Sequence, residues 1–387
     1  MKKRNFIYTT ALSLILFCNL MFCIPTDNIA QAVDDPILDS KAYCLLDSAT
    51  GQVLLEKNSL QHLPIASVTK TMTLLLTFEA IEQNKFGVDD LLVASQNASG
   101  MGGSQVFLDA NCEYKVEDLL YAVVMSSAND ASVVFAEAIG GSEDGFVDMM
   151  NEKAKSLGLA NTHFANCTGL PNNQHYSCAY DVARIMQELV KHDMYFNYTH
   201  ERLKDFVHPS GRTTQMTNTN KLIRSYNGCD AGKTGSTVEA GYCLSATAIR
   251  NNMRLISVVL GAKNSKERFS DCAKVLDYGF ANYESKCIVD ENEEFLYSNQ
   301  ILHAKEQQVY VKPAHSYYEL IKRGEQPSVE VNYEYYDKKA PLKAGDSIGQ
   351  IIIIKDNTVQ QQIDIVLTND IENKSYLDEI KYITQNW

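Results

Sequence analysis

Positive charge is in short supply in this sequence. Lys and Arg total 35 against 48 Asp and Glu, a net charge of -13. A phosphate backbone wants a basic footprint, so this balance argues against nucleic acid as a partner and against strong attraction to anionic lipid. No internal repeat or low-complexity segment stands out. The longest apolar stretch near the start, Ala11 to Ile24, is broken by Ser13 and Asn19 and is too short to cross a bilayer comfortably. Zinc-finger spacing is missing too. His163-x3-Cys167-x7-His175-x2-Cys178 has suitable residue types but not the two C-x2-C or H-x3-H pairs a structural metal wants, so structural roles are expected and no cofactor is implied.

What is present is an exported, globular chain. At 387 residues it can bury a large core and divide into two domains, and 45% apolar with 21% charged content is ordinary for such a fold. Lys2-Lys3-Arg4 precede the apolar stretch, and Ala30-Gln31-Ala32 supplies a small-x-small cleavage pattern. Residues 1–32 are therefore expected to be a signal peptide, with the protein acting outside the cytoplasm, secreted or peripheral on the membrane's outer face. Bulky Phe22 before Cys23 speaks against a lipoprotein signal. Eight of the ten cysteines remain after residue 32, widely and irregularly spaced. Disulfides and buried small hydrophobes fit them equally, and the pairing cannot be read from sequence.

Hydrophobic periodicity orders the chain. Ala42 to Lys57 reads as a hairpin about Asp47–Gly51. A helix is expected to about Glu82, then helices over Val116–Met125, Ala131–Ile139, 145–157 and 181–191. Strand-rich runs at Gly241–Arg250 and Met253–Leu260 meet at Asn251-Asn252, and helix returns over Lys266–Phe280. This order suits an α+β domain, helices on an antiparallel sheet, over 33–285. Short alternating runs at Val309–Lys312, Val329–Tyr335, Ile348–Lys355 and Gln361–Leu367 suggest a small all-β domain over 286–372. Residues 373–387 are expected to be a short helix or tail, with weak peripheral membrane contact opposed by Asp378 and Glu379.

Three short motifs carry chemistry. In Pro64-Ile65-Ala66-Ser67-Val68-Thr69-Lys70, Ser67 and Lys70 sit three residues apart, so the amine reaches the hydroxyl. Serine needs a base to become a nucleophile, and lysine is that base only when neutral, which requires burial or a neighbouring cation. Ser127-Ala128-Asn129 interrupts two apolar helices, and Lys233-Thr234-Gly235 precedes the strand run. A Lys-Thr pair at a strand edge binds a carboxylate, while Gly235 lets a substrate backbone approach. Each motif alone is common. In this order, S-x-x-K, S-x-N and K-T-G form the set found in penicillin-binding proteins and class A β-lactamases.

The sequence resembles the low-molecular-mass penicillin-binding proteins, the serine-type D-alanyl-D-alanine carboxypeptidases of peptidase family S11. Beyond the three motifs, Asn161-Thr162-His163-Phe164, Gly169-Leu170, His175-Tyr176-Ser177, Asn218-Thr219-Asn220-Lys221-Leu222, Ala240–Leu244, Ser265–Phe269 and Leu276–Phe280 look like family segments. The resemblance implies a β-lactamase/DD-peptidase-like catalytic domain followed by the all-β domain. It implies a substrate too, peptidoglycan stem peptide ending in D-Ala-D-Ala, with β-lactam antibiotics as covalent inhibitors. Ser67 would form the acyl-enzyme, Lys70 would be the base and Ser127 the proton relay. Asn129 would hold the substrate amide and Lys70. Lys233 and Thr234 would bind the terminal carboxylate, with Lys233 helping to keep Lys70 neutral. The amides of Ser67 and Ser236 would form the oxyanion hole beside Gly235, and Arg268 would be a supporting or carboxylate-side cation.

Class A β-lactamases share the motifs but need a deacylating glutamate in an E-x-x-[LIVM]-N loop. Glu137, Glu143, Glu152, Glu188 and Glu201 lie between Asp130 and Lys233, and none has Asn four residues on. A non-catalytic wall-binding protein is disfavoured because the catalytic set is complete.

Overall fold

The computed structural model describes residues 34–376 except 298, 300 and 307. The expected signal peptide and most of the C-terminal tail lie outside the described residues.

Strands β1 (Ala42–Asp47) and β2 (Val53–Lys57) form the expected hairpin. Two small antiparallel ribbons follow, β3 (Leu91–Val93) with β4 (Glu113–Lys115), and β5 (Leu203–Val207) with β6 (Thr213–Thr217). Strands β7 (Cys229–Thr237), β8 (Gly241–Arg250) and β9 (Met253–Ala262) complete a five-stranded antiparallel sheet ordered β2-β1-β9-β8-β7. Strand β7 is thus an edge, and it carries the third motif inside it rather than before it. Its sequence, CDAGKTGST, has almost no strand formers, which hid it from propensity.

Both sheet faces are covered, so β1 and β9 are buried at nearly every position instead of alternating. One face packs on helices Lys70–Glu82, Val116–Ser126, Asn129–Gly140, Glu143–Ser156 and Ala179–Leu189 in a large apolar core. The other packs on helix Ser265–Asn282 through Leu45, Leu255, Val275 and Leu276. Helix Lys70–Glu82 is buried almost all round, from Met72 through Phe78. Each such leucine contributes about 1.5–3 kcal/mol, enough to hold the preceding turn rigid.

Helix Ser265–Asn282 runs directly into β10 (Tyr283–Val289). Beyond it lie β11 (Phe295–Leu296), β12 (Tyr310–Pro313), β13 (Tyr317–Lys322), β14 (Glu330–Tyr335), β15 (Ser347–Lys355) and β16 (Thr358–Leu367). β10 pairs with β13, and the others form a second antiparallel sheet ordered β11-β12-β16-β15-β14. Its core is Ile348, Ile351, Ile353, Ile363 and Ile365 with neighbours. The α+β domain followed by an all-β region is the architecture expected.

Candidate active site

Ser67 lies in a single 3-10 turn, Ala66–Thr69, that leads into helix Lys70–Glu82. Alanine at 66 is held at φ +48°, a conformation L-residues avoid and tolerate only where the surroundings impose it. Three neighbours do so here. Thr69 Oγ1 donates to the Ala66 carbonyl at 2.8 Å, and His175 Nε2 lies 2.6 Å from that hydroxyl. Gly169, at φ +83°, packs so closely that a Cβ on it would sit 2.0 Å from Ala66 O. The Ala165 N–H donates to His175 Nδ1, so the ring's proton is on Nε2 and donates to Thr69. Burial pushes His175 down to about 4, which keeps it neutral.

Lys70 is fully buried and its Nζ has three neighbours: Ser67 Oγ at 3.0 Å, Asn129 Oδ1 at 2.6 Å and Thr168 O at 2.7 Å. Two of these are carbonyl oxygens, which only accept. A neutral amine satisfies both with its two N–H bonds and turns its lone pair to the Ser67 hydroxyl. Burial lowers Lys70 to about 7 despite the opposing pull of Cys167 and Asp130. The neutral form that base chemistry requires is therefore accessible at ordinary pH.

Ser127 ends helix Val116–Ser126 in the left-handed conformation, φ +60°, which turns its side chain toward the sheet. Lys233 is 1% exposed, and its Nζ donates to Ser127 Oγ at 2.8 Å and to Thr234 O at 3.1 Å. Burial, and then repulsion from Lys70 and Arg268, hold Lys233 well below the ordinary lysine range. For Lys70 burial is the leading cause, and Lys233 is not among the charges that shift it. Thr234 Oγ1 donates to Thr219 Oγ1 at 2.9 Å. Asn129 bridges the site: its Oδ1 faces Lys70 while its Nδ2 donates to Gly102 O at 2.6 Å. Next to it, buried Asp130 accepts from the Val106 and Leu108 amides, each at 3.1 Å, and so anchors that loop.

Gly235 sets the distance between strand and nucleophile. A Cβ there would meet the Ser67 and Val68 amide nitrogens at 2.9 Å and Ile65 O at 2.8 Å. The side chain of the next residue, Ser236, is exposed. Arg268 is buried, and its guanidinium donates to Gly235 O at 3.1 Å and Cys243 O at 3.3 Å. It braces β7 and β8 from beneath, with Phe269 4.6 Å from its head group. Every residue expected in the site thus converges on one place. Sequence reasoning did not assign parts to Thr69, Thr168, Thr219 and Gly102, and expected of His175 a structural role only. His175 and Thr219 fell within family-like segments, the only signal available for them.

Both ring nitrogens of His175 and Nδ1 of His163 are engaged within the protein. His163 Nδ1 is 2.6 Å from Gln174 O, and Cys178 Sγ caps the Asp181 amide at 3.4 Å. Among the described residues no group of three His, Cys, Asp or Glu is placed to hold a metal. Nor is any described helix long and apolar enough to cross a membrane.

The chain is similar to known proteins along most of its length. The family described as D-alanyl-D-alanine carboxypeptidase, peptidase S11, matches residues 29–264, and the penicillin-binding protein 5 C-terminal domain matches 283–373. D-alanyl-D-alanine carboxypeptidase DacF of Bacillus subtilis is 37% identical over 352 residues, 90% of each chain. DacC of Escherichia coli is 32% identical over 359 residues, 90% of this chain and 88% of that one. Among solved structures, penicillin-binding protein 5 of Haemophilus influenzae superposes with TM-score 0.66 at 31% identity, over 88% of this chain and 100% of that chain. A peptidoglycan synthesis regulatory factor, PBP3, of Streptococcus pneumoniae gives 0.70 at 27% identity over 87% and 100%. With the matched family covering most of the chain and relatives above 30% identity along nine-tenths of it, this protein belongs to the S11 family of D-alanyl-D-alanine carboxypeptidases.

Proposed function

We propose that this enzyme removes the terminal D-alanine from peptidoglycan stem peptides through an acyl-enzyme on Ser67. The observation that carries the reading is the placement of Lys70 Nζ, fixed by two carbonyl oxygens with its third direction at Ser67 Oγ. Lys70 takes the Ser67 proton as Oγ attacks the penultimate D-Ala carbonyl. Charge developing on the carbonyl oxygen meets the Ser67 and Ser236 amides, donors of a kind worth on the order of 10²–10³ in rate. Collapse breaks the peptide bond, and the proton taken up by Lys70 passes through the Ser127 hydroxyl, held by Lys233, to the departing D-Ala amine, which leaves Lys70 neutral again. Water then hydrolyses the ester with Lys70 again as base. Lys233 and Thr234 hold the free carboxylate, and Asn129 orients the substrate amide. Arg268 acts through Gly235 and keeps the strand at its distance.

A β-lactam places its strained carbonyl and carboxylate on the same groups and acylates Ser67. The N-terminal segment exports the chain, and the C-terminal tail supplies at most weak peripheral membrane contact. The protein serves cell-wall biogenesis and shape from outside the cytoplasm. Endopeptidase and transpeptidase outcomes share the acyl-enzyme and differ in bond or acceptor, so products from purified muropeptides separate them.

The test is a penicillin mass shift on wild type that Ser67→Ala abolishes, alongside D-Ala release from a D-Ala-D-Ala peptide. A wild type that acquires no adduct and releases no D-Ala sinks the reading. Rapid turnover of the adduct, rather than a long-lived one, points instead to β-lactamase chemistry.

A further inference from the structure

Beside the nucleophile lies a cleft of about 290 Å³ that the catalytic groups do not use. Ile65 and Ala66, immediately before Ser67, form one end of its wall, and Thr237 and Glu239, just past Gly235, form another. Leu170 and Tyr176 complete an apolar side, where the His62 ring stacks on Tyr176 at 4.4 Å. His175, also in the wall, is held neutral by burial. Of the acidic, lysine and arginine side chains, the wall contains only Glu239, which is exposed.

The site has a direction. Lys233 and Thr234, proposed to hold the terminal carboxylate, come before Gly235 on β7, and the cleft begins after it. β7 is an edge strand, so an extended peptide lies along it antiparallel, its C-terminus at Lys233 and its upstream residues toward Thr237. At about 3.4 Å per residue, the residue just before D-Ala-D-Ala falls opposite Ser236 and Thr237. Its side chain then enters the cleft with Glu239 at the mouth.

We propose that this cleft is the subsite for the residue preceding D-Ala-D-Ala, and that Glu239 selects a side chain carrying a free amine. The apolar wall takes the methylene stem and the carboxylate takes the ammonium. Glu239 touches no reacting atom, so it sets specificity and not chemistry. The inference rests on the carboxypeptidase reading given above.

The experiment compares Nα-acetyl-L-Lys-D-Ala-D-Ala with its Nα,Nε-diacetyl counterpart on the full chain, reading the ratio of kcat/KM. Wild type is expected to prefer the free amine by roughly two- to five-fold at low salt, the range of an exposed ion pair. The preference should shrink at about 0.5 M salt. E239Q brings the ratio to about one, and E239K turns it in favour of the diacetyl peptide. A wild-type ratio of one, or an E239Q ratio equal to wild type, overturns the subsite. Penicillin labelling of Ser67 reports the underlying reading separately. If label is taken up while the ratio is flat, only this inference falls. If wild type neither labels nor cleaves, the carboxypeptidase reading falls and carries this one with it.

Discussion

Lys70 Nζ and Ser67 Oγ lie 3.0 Å apart, with the amine's other two neighbours, Asn129 Oδ1 and Thr168 O, unable to donate anything back. The geometry of the pair therefore suits transfer of the hydroxyl proton to the amine. What decides whether it happens is the charge on Lys70, and burial brings that group down to about 7.

A pH dependence follows with a definite sign. The amine is protonated below about 7 and cannot accept, and above it the neutral base dominates. Acylation by penicillin should rise about tenfold per pH unit below this value and level off above it. Stopped-flow acylation rates from pH 5 to 9 check this. A flat profile, or a rise centred near the ordinary lysine value of 10.5, would assign the base role elsewhere.

Ser127→Ala removes the hydroxyl that accepts from Lys233 at 2.8 Å and leaves Lys233 Nζ with the Thr234 carbonyl. If the hydroxyl relays a proton, turnover on D-Ala-D-Ala peptide should fall on the order of 10²–10³-fold. Thermal stability should change by no more than about 1–2 kcal/mol, the scale of one lost hydrogen bond. An activity loss no greater than the fraction unfolded would make the contact structural.

The turn bearing Ser67 depends on a residue 102 positions away in the chain. Gly169→Ala drives a methyl into the Ala66 carbonyl and imposes positive φ on alanine, so about 2–4 kcal/mol of stability should be lost. Acylation measured well below the melting point should still be impaired, because Ala66 sets the entry to Ser67. Gly158→Ala is the control: its φ is also positive, +71°, but open space surrounds the new methyl. It should cost roughly 1 kcal/mol and leave acylation intact. Equal acylation in both variants would show that the turn does not need Gly169.

Much of this was legible from sequence because helix periodicity and turn residues are local. Helices 116–126 and 179–189 and the β8–β9 hairpin came close to their expected bounds. Strand β7 was not, since Gly232 and Gly235 allow close approach to Asn220 and Ser67 and contribute no strand propensity. The β5–β6 ribbon was missed for a similar reason: its residues alternate weakly, and only Phe206 and Met216 are buried. In the site, Ser67, Lys70, Ser127, Asn129 and Lys233 announce themselves by side-chain chemistry. Thr168 acts through its backbone carbonyl, which any residue could provide, so no sequence pattern reveals it. His175 supports Ala66 through Thr69, a relation that exists only after folding.

The cysteines, ambiguous in sequence, divide sharply in the fold. All eight described are free thiols; Cys44, Cys167, Cys178, Cys229, Cys243 and Cys272 are buried, Cys112 is half-buried and Cys287 is exposed. A thiol reacts as its thiolate, and burial raises Cys178 to about 12 and Cys243 to about 11, so these are doubly protected by access and by charge. Titration of a chain beginning at residue 33 with an aromatic disulfide reagent should show one fast thiol, lost in Cys287→Ser, with half-buried Cys112 reacting more slowly. The buried six should react only through local or global opening, at rates that track denaturant. Full unfolding without reductant should release all eight. Fewer than eight would mean that disulfides form in the exported protein, and a reductant-dependent melting temperature would then locate their contribution to stability.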